Sequence, residues 1–343
     1  MMAFDFSRRV VGICAAMTVL SGCGGSQSLI GTPGAAQPSV RQSLPFPAVS
    51  RAAVARLLAH RLSSNGDLVY LTTARAVIIA SYPQGQIVGS IPWYSQSSYI
   101  CSDPNDGNVF IPEGDTIYEY AHGGTSPIAT LSGLAGYSVA GCSVDPTTGN
   151  LAVATTLING STEKGAVLVY PGAKGTPTSY TDEKLHLFDY PAYDDAGNLF
   201  VTSDTRAGGF RIAELPVGKG QFRHITLPGD FIFLDKIQWY GGYLTYERDN
   251  VSGGGSAIEQ VQISGKTGTV VNSVPLLRGA NRYFWIRDGS VIGQYGIVKA
   301  RGNRAIAAWP YPSGGHPSTH FYGVTKGQED YPWDLTVSIS PSR

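Results

Sequence analysis

The sequence predicts an all-β fold, a six-bladed β-propeller closed by its own C-terminal strand. Three observations carry this. A segment with period-2 apolar residues behind a glycine turn recurs six times. The markers Gly66, Gly107, Gly149, Gly197, Gly242 and Gly289 stand 41, 42, 48, 45 and 47 residues apart. The first repeat also lacks one strand, which the last residues of the chain supply. Composition agrees: 43 glycines and 19 tyrosines, with only 15% charged residues, favour turns and strands over long helices.

Residues 1–22 read as a signal peptide. Arg8 and Arg9 precede an apolar run, Val10 to Leu20, that is too short for a permanent membrane span. The run ends in Leu20-Ser21-Gly22-Cys23, which resembles the lipobox of bacterial lipoproteins. That resemblance implies cleavage before Cys23, a lipid on its thiol, and a location in the cell envelope facing the periplasm or exterior. Each buried methylene of such an anchor contributes about 0.8 kcal/mol. An ordinary secretory leader with a chance cysteine is the alternative. Residues 23–62 are rich in Gly, Ser, Pro and Gln up to about Ser50 and read as a flexible tether. Ala52 to Leu62 has apolar residues at helical spacing, so it reads as a short helix or as the first strand of the domain beyond.

Residues 63–343 form the propeller. Each repeat runs through strands A to D, as in Tyr137–Asp145, Asn150–Thr156, Ala166–Pro171 and Thr176–Thr181. Strands A and B are joined by turns such as "DPNDGN" and "DPTTGN", where Gly supplies a positive φ and Asp or Asn bonds nearby backbone N–H groups. Asp103, Asp106, Asp145, Asp194 and Asp195 fall in this turn column and read as caps. The first repeat has no convincing A strand. Tyr331 to Ser340 lines up with the A strand at Tyr137 to Val144 and is expected to complete blade 1, removing a free sheet edge.

The stretches "CSDPNDGNVFI", "IYEYAHGGTSPIATL" and "GCSVDPTTGNLAVATT" resemble NHL-type six-bladed propellers, and more narrowly bacterial envelope lipoproteins with tyrosine- and glycine-rich blades. The resemblance covers roughly residues 65 to 340. It implies the fold but not an activity, because this architecture hosts lactonases, binding modules and scaffolds alike. The Glu-Gly-Pro of gluconolactonase-like propellers, which hold a divalent metal on the axis, has no match here.

No other motif supplies chemistry. "SGKTGT" around Lys266 has Gln260 where a phosphate loop needs Gly, and a hairpin rather than a helix is expected after it. His316 and His320 are separated by Pro317 in a turn, which prevents a helical zinc pair. No Gly-x-Ser-x-Gly elbow is present. No catalytic residues, metal ligands or cofactor are therefore assigned. The expected class is a binding or scaffold module for a small molecule, glycan or protein partner, with a lactonase-like or other hydrolase at the axis as the alternative. The expected partners are the membrane, through the N-terminal lipid, and an envelope protein or glycan. With 25 basic and 25 acidic side chains, nucleic acid is not expected.

Two further sets of residues are singled out. Cys101 and Cys142 lie in successive A strands, and an oxidising compartment favours a disulfide between them. Their registers differ by one residue against the glycine markers, so two separate buried thiols stay open as the other reading. The D-to-A connections collect aromatic and acidic residues, and Trp93, Asp189, Tyr190, Asp235, Trp285, Trp333 and Asp334 are the candidate ligand-binding set. Aromatic faces and carboxylates there suit a neutral or cationic small ligand or a glycan. The competing reading is that these aromatics wedge between blades.

Overall fold

Strands that are apolar on both faces need a neighbour on each side. In "LVYLT" (Leu68–Thr72) every residue is buried. Leu68 and Tyr70 pack toward one neighbouring sheet, whereas Val69 and Leu71 pack toward the other. A ring of radially stacked sheets meets that demand.

A computed structural model describes residues 66–92, 99–157, 165–205, 209–227, 236–251, 255–295, 305–321 and 332–341. The chain divides into two compact units, Met1–Ala48 and Val49–Arg343, and the described residues all belong to the second. The signal peptide, Cys23 and the tether lie outside the described residues.

The described strands form six four-stranded antiparallel sheets. The first contains β1 (Leu68–Thr72), β2 (Ala76–Ser81) and β3 (Ile87–Pro92). Blade 2 is β4 (Cys101–Ser102), β5 (Val109–Glu113), β6 (Thr116–Tyr120) and β7 (Pro127–Leu131). Blade 3 is β8 (Tyr137–Val144), β9 (Leu151–Leu157), β10 (Val167–Tyr170) and β11 (Thr178–Tyr180). Blade 4 is β12 (Leu187–Tyr193), β13 (Leu199–Asp204), β14 (Phe210–Leu215) and β15 (Arg223–Ile225). Blade 5 is β16 (Ile237–Tyr240), β17 (Tyr243–Val251), β18 (Gly255–Ser264) and β19 (Thr267–Leu277). Blade 6 is β20 (Gly279–Arg287), β21 (Ser290–Tyr295), β22 (Ala305–Pro310) and β23 (Thr319–Phe321). The last strand, β24 (Asp334–Ser338), pairs antiparallel with β1 from Leu68↔Ser338 to Thr72↔Asp334 and completes blade 1 as its A strand. The six-bladed propeller with C-terminal closure is thus the observed fold.

The core is divided among the seams. Six hydrophobic clusters of described residues each span two adjacent blades, such as Phe110 and Leu131 of blade 2 against Leu151 and Leu168 of blade 3. Each such side chain contributes roughly 1.5–3 kcal/mol when fully buried.

The A–B turns follow the expected chemistry. Asp145 Oδ1 accepts from the Thr147 N–H at 2.8 Å, and Asp194 Oδ1 accepts from the N–H groups of Ala196 and Asn198 at 2.9 and 2.8 Å. Five of the six marker glycines have positive φ; Gly66 does not. The reason is topological. Blade 1 receives its A strand from the other end of the chain, so Gly66 follows no A–B turn and nothing forces it into the left-handed region.

Candidate functional site

The A strands lie innermost and contact their neighbours around the ring. They wall a cavity of about 380 Å³ on the propeller axis, with lining residues from all six blades. The wall runs from Lys236 and Asp334, at the starts of A strands, to Pro104, Pro146, Asp195 and Gly241 in the A–B turns.

The strand-start end is locked by contacts that reach across the axis. Lys236, just before β16 in blade 5, donates from Nζ to Asp334 Oδ1 of blade 1 at 2.6 Å and to the Leu335 carbonyl at 2.5 Å. Asp334 also accepts from the N–H groups of Ile100 (3.1 Å, blade 2) and Leu335 (2.7 Å). One carboxylate thereby joins blades 1, 2 and 5. Lys236 and Asp334 are only 5% and 2% exposed. Burial pushes the Asp334 carboxyl up from its ordinary value, while Lys236 and the two backbone donors pull against that. The Lys236 ammonium also lies 5.2 Å from the ring centroid of Trp285. Beside this pair, Tyr190 meets Tyr99 edge-on at 5.6 Å and Tyr283 at 6.3 Å, linking blades 2, 4 and 6.

At the other end a second acid closes the ring. Asp67, 2% exposed, accepts from the Ser340 N–H at 2.9 Å and from Arg287 of blade 6 at 3.0 Å. The closing strand is therefore bracketed by two buried carboxylates, each answered by a cation from another blade. Nearby, Trp239 stacks on Phe200 (5.6 Å between centroids, 11° between planes), and its indole N–H donates to Asp195 Oδ2 at 2.9 Å.

Cys101 and Cys142 are joined by a disulfide on the cavity wall, with Cα atoms 5.6 Å apart. The one-residue difference in register does not keep the two residues out of reach.

Of the candidate ligand-binding residues, the structure brings Tyr190, Trp285 and Asp334 together at the cavity. Trp333 is 38% exposed and does not line it, and neither does half-buried Asp189. Trp93 and Asp235 lie outside the described residues. One correction concerns placement: Asp189 and Tyr190 belong to β12, Trp285 to β20 and Asp334 to β24, not to the D-to-A connections. The A strands begin earlier than their turn markers suggest, because their first residues pair with neighbouring B strands. Asp334 lines the cavity while engaged by Lys236 and two backbone donors.

Sequence reasoning missed Lys236, Asp67, Arg287 and Trp239. Asp67 carried a signal. It follows its marker glycine where the next three repeats have Asn108, Asn150 and Asn198 and the last two have Tyr243 and Ser290, so it is the one acid at that position. Among the described residues, no three His, Cys, Asp or Glu side chains stand together as metal ligands.

No protein-family model and no curated protein matches the chain. Solved structures share its fold. A chain of the nidogen/laminin complex has a TM-score of 0.60 at 11% identity, over 80% of this chain and 99% of that one. A protein of unknown function from Bacteroides caccae has a TM-score of 0.55 at 12% identity, over 80% and 99%. TolB from Acinetobacter baumannii has a TM-score of 0.51 at 14% identity, over 86% of this chain and 74% of that one. At such identities these similarities show the β-propeller fold alone.

Proposed function

We propose that the chain is a lipid-anchored cell-envelope binding module whose propeller takes up a small molecule on its axis. The observation that carries this is the cavity of about 380 Å³, walled by all six blades and held by groups from distant parts of the chain. Its volume falls within the usual range for small-molecule sites, and the mixture of aromatic rings with a few fixed polar groups is typical of them. The anchor and the location rest on Leu20-Ser21-Gly22-Cys23, and the NHL-type assignment rests on the repeat sequence. A similar fold occurs in the nidogen/laminin complex, an assembly of proteins, so a partner on the outer faces is compatible with a ligand on the axis.

Two measurements test the reading. A fatty-acid probe should label the wild-type chain in bacteria and not Cys23→Ala; equal labelling of both removes the anchor. A small-molecule library screened by thermal shift on the full chain in detergent should yield compounds whose stabilisation is lost in Trp239→Ala. Hits that are all indifferent to that change, or no hits, count against an axial site.

A further inference from the structure

Resting on the proposed axial binding site, we infer that the axial cavity selects an uncharged molecule with a flat aromatic body, and disfavours anions and sugars.

The first ground is charge. Among the described residues, the two cations on the wall, Lys236 and Arg287, each hold a buried carboxylate, Asp334 and Asp67 respectively. An anionic ligand would have to compete with an acid already in place at about 3 Å or less. A cationic ligand finds both wall carboxylates engaged, Asp334 by Lys236 and two backbone donors and Asp195 by the Trp239 indole N–H at 2.9 Å. Asp195, exposed at the turn end of the wall, adds negative potential there and disfavours anions further.

The second ground is hydrogen bonding. Gln238 spends both ends of its amide on the Ile286 backbone, donating at 3.1 Å and accepting at 2.7 Å. The Ser102 hydroxyl is engaged with Thr336 and the Val337 carbonyl at 2.9 and 2.8 Å. A sugar buries many hydroxyls, and each one left without a partner costs about 1–3 kcal/mol. These two polar side chains of the wall are already committed to holding neighbouring blades together.

The third ground is the rings. Trp239 is fixed by its stack on Phe200 and its bond to Asp195, and Trp285 is fixed beneath the Lys236 ammonium. Rigid aromatic surfaces bind a flat apolar body with little loss of side-chain entropy.

The test uses a matched pair of fluorescent probes on the full chain in detergent. N-phenyl-1-naphthylamine is neutral, whereas 8-anilinonaphthalene-1-sulfonate carries the same ring system with a sulfonate, so their difference isolates charge. Maltose serves as the sugar. Energy transfer from tryptophan should report binding of the neutral probe, with the sulfonate at least ~10-fold weaker and maltose without competing effect. Trp239→Ala should weaken the neutral probe by ~10-fold or more. Ile128→Ala, on the outer edge strand far from the axis, should leave it unchanged. Where Trp239→Ala fails to fold, Ser143→Phe, which fills the cavity from its wall, replaces it with the same expectation. If the sulfonate or maltose binds as well as the neutral probe, and Trp239→Ala removes that binding, the ligand class is wrong while the axial site stands. If the neutral probe fails to bind, or ignores both cavity variants, the inference is overturned.

Discussion

Blade 3 and blade 1 solve the same problem with different means. Blade 3 is continuous in sequence from β8 to β11, and a hairpin turn capped by Asp145 carries the chain from its A strand to its B strand. Blade 1 has no such turn, because its A strand arrives from the far end of the chain. Where the covalent hairpin is missing, side chains replace it. Asp67 ties Ser340 and Arg287, and Asp334 ties Lys236 and Ile100. His122 Nδ1 lies 2.6 Å from the Ser338 hydroxyl, and that hydroxyl donates to the Gly107 carbonyl. A side chain at Gly107 would put its Cβ 2.0 Å from the Ile339 carbonyl oxygen, so blade 2 approaches the closing segment as closely as a glycine permits. The charges around the axis are thus closure devices, concentrated where the chain is interrupted.

The largest expected effect comes from breaking the cross-axis pair. Lys236→Met leaves the Asp334 carboxylate buried without its cation and should cost about 3–5 kcal/mol in urea denaturation. A cost under about 1 kcal/mol would show that the pair is incidental. Next comes the seam between blades 2 and 3. Replacing both Cys101 and Cys142 by Ala releases a link across a separation of 41 residues. Loop-closure entropy for a link of that kind puts the loss at about 4 kcal/mol.

The two turn positions then give the direct comparison. Asp67→Ala orphans the Ser340 N–H and frees Arg287, and should cost about 2–3 kcal/mol. Asp145→Ala removes caps from a hairpin that stays covalently joined and should cost about 1 kcal/mol. Equal costs would remove the distinction between a closed and an interrupted blade.

The smallest effect is a pH dependence. Burial holds the His122 imidazole below its ordinary pKa of 6.5. The unfolded chain therefore takes up the proton more readily than the native one, and stability falls as pH drops below about 6.5 toward the depressed native value. His122→Gln should flatten that part of the pH profile. An unchanged slope would mean that other groups carry it.

The turn column was legible because its chemistry is local: Asp, Gly and Asn within six residues dictate the hairpin. The seams were legible for a similar reason, since strands such as β1, apolar on both faces, demand two neighbours. The axial lock was not legible. Lys236 and Asp334 are 98 residues apart; Asp334 could be singled out among the acids that recur near the starts of the A strands, but Lys236 sits in no patterned column and nothing local pairs the two. Only closure of the ring brings them together. Trp285 and Tyr190 could be singled out as aromatics at the right place in the repeat, but their partners depend on register between blades. Asp67 stood out from its column only by its charge.

The central claim is that the wall's charges hold the ring while its rings hold the ligand. Lys236→Gln combined with Asp334→Asn tests this most directly, because it removes both charges and keeps hydrogen-bonding groups at both positions. With the fold verified by circular dichroism, the neutral naphthylamine probe is titrated into wild type and double variant. The account predicts a lower melting temperature and an affinity within ~3-fold of wild type. A native-like melting temperature together with a loss of affinity beyond ~10-fold would contradict it, and would make the charged pair the recognition site.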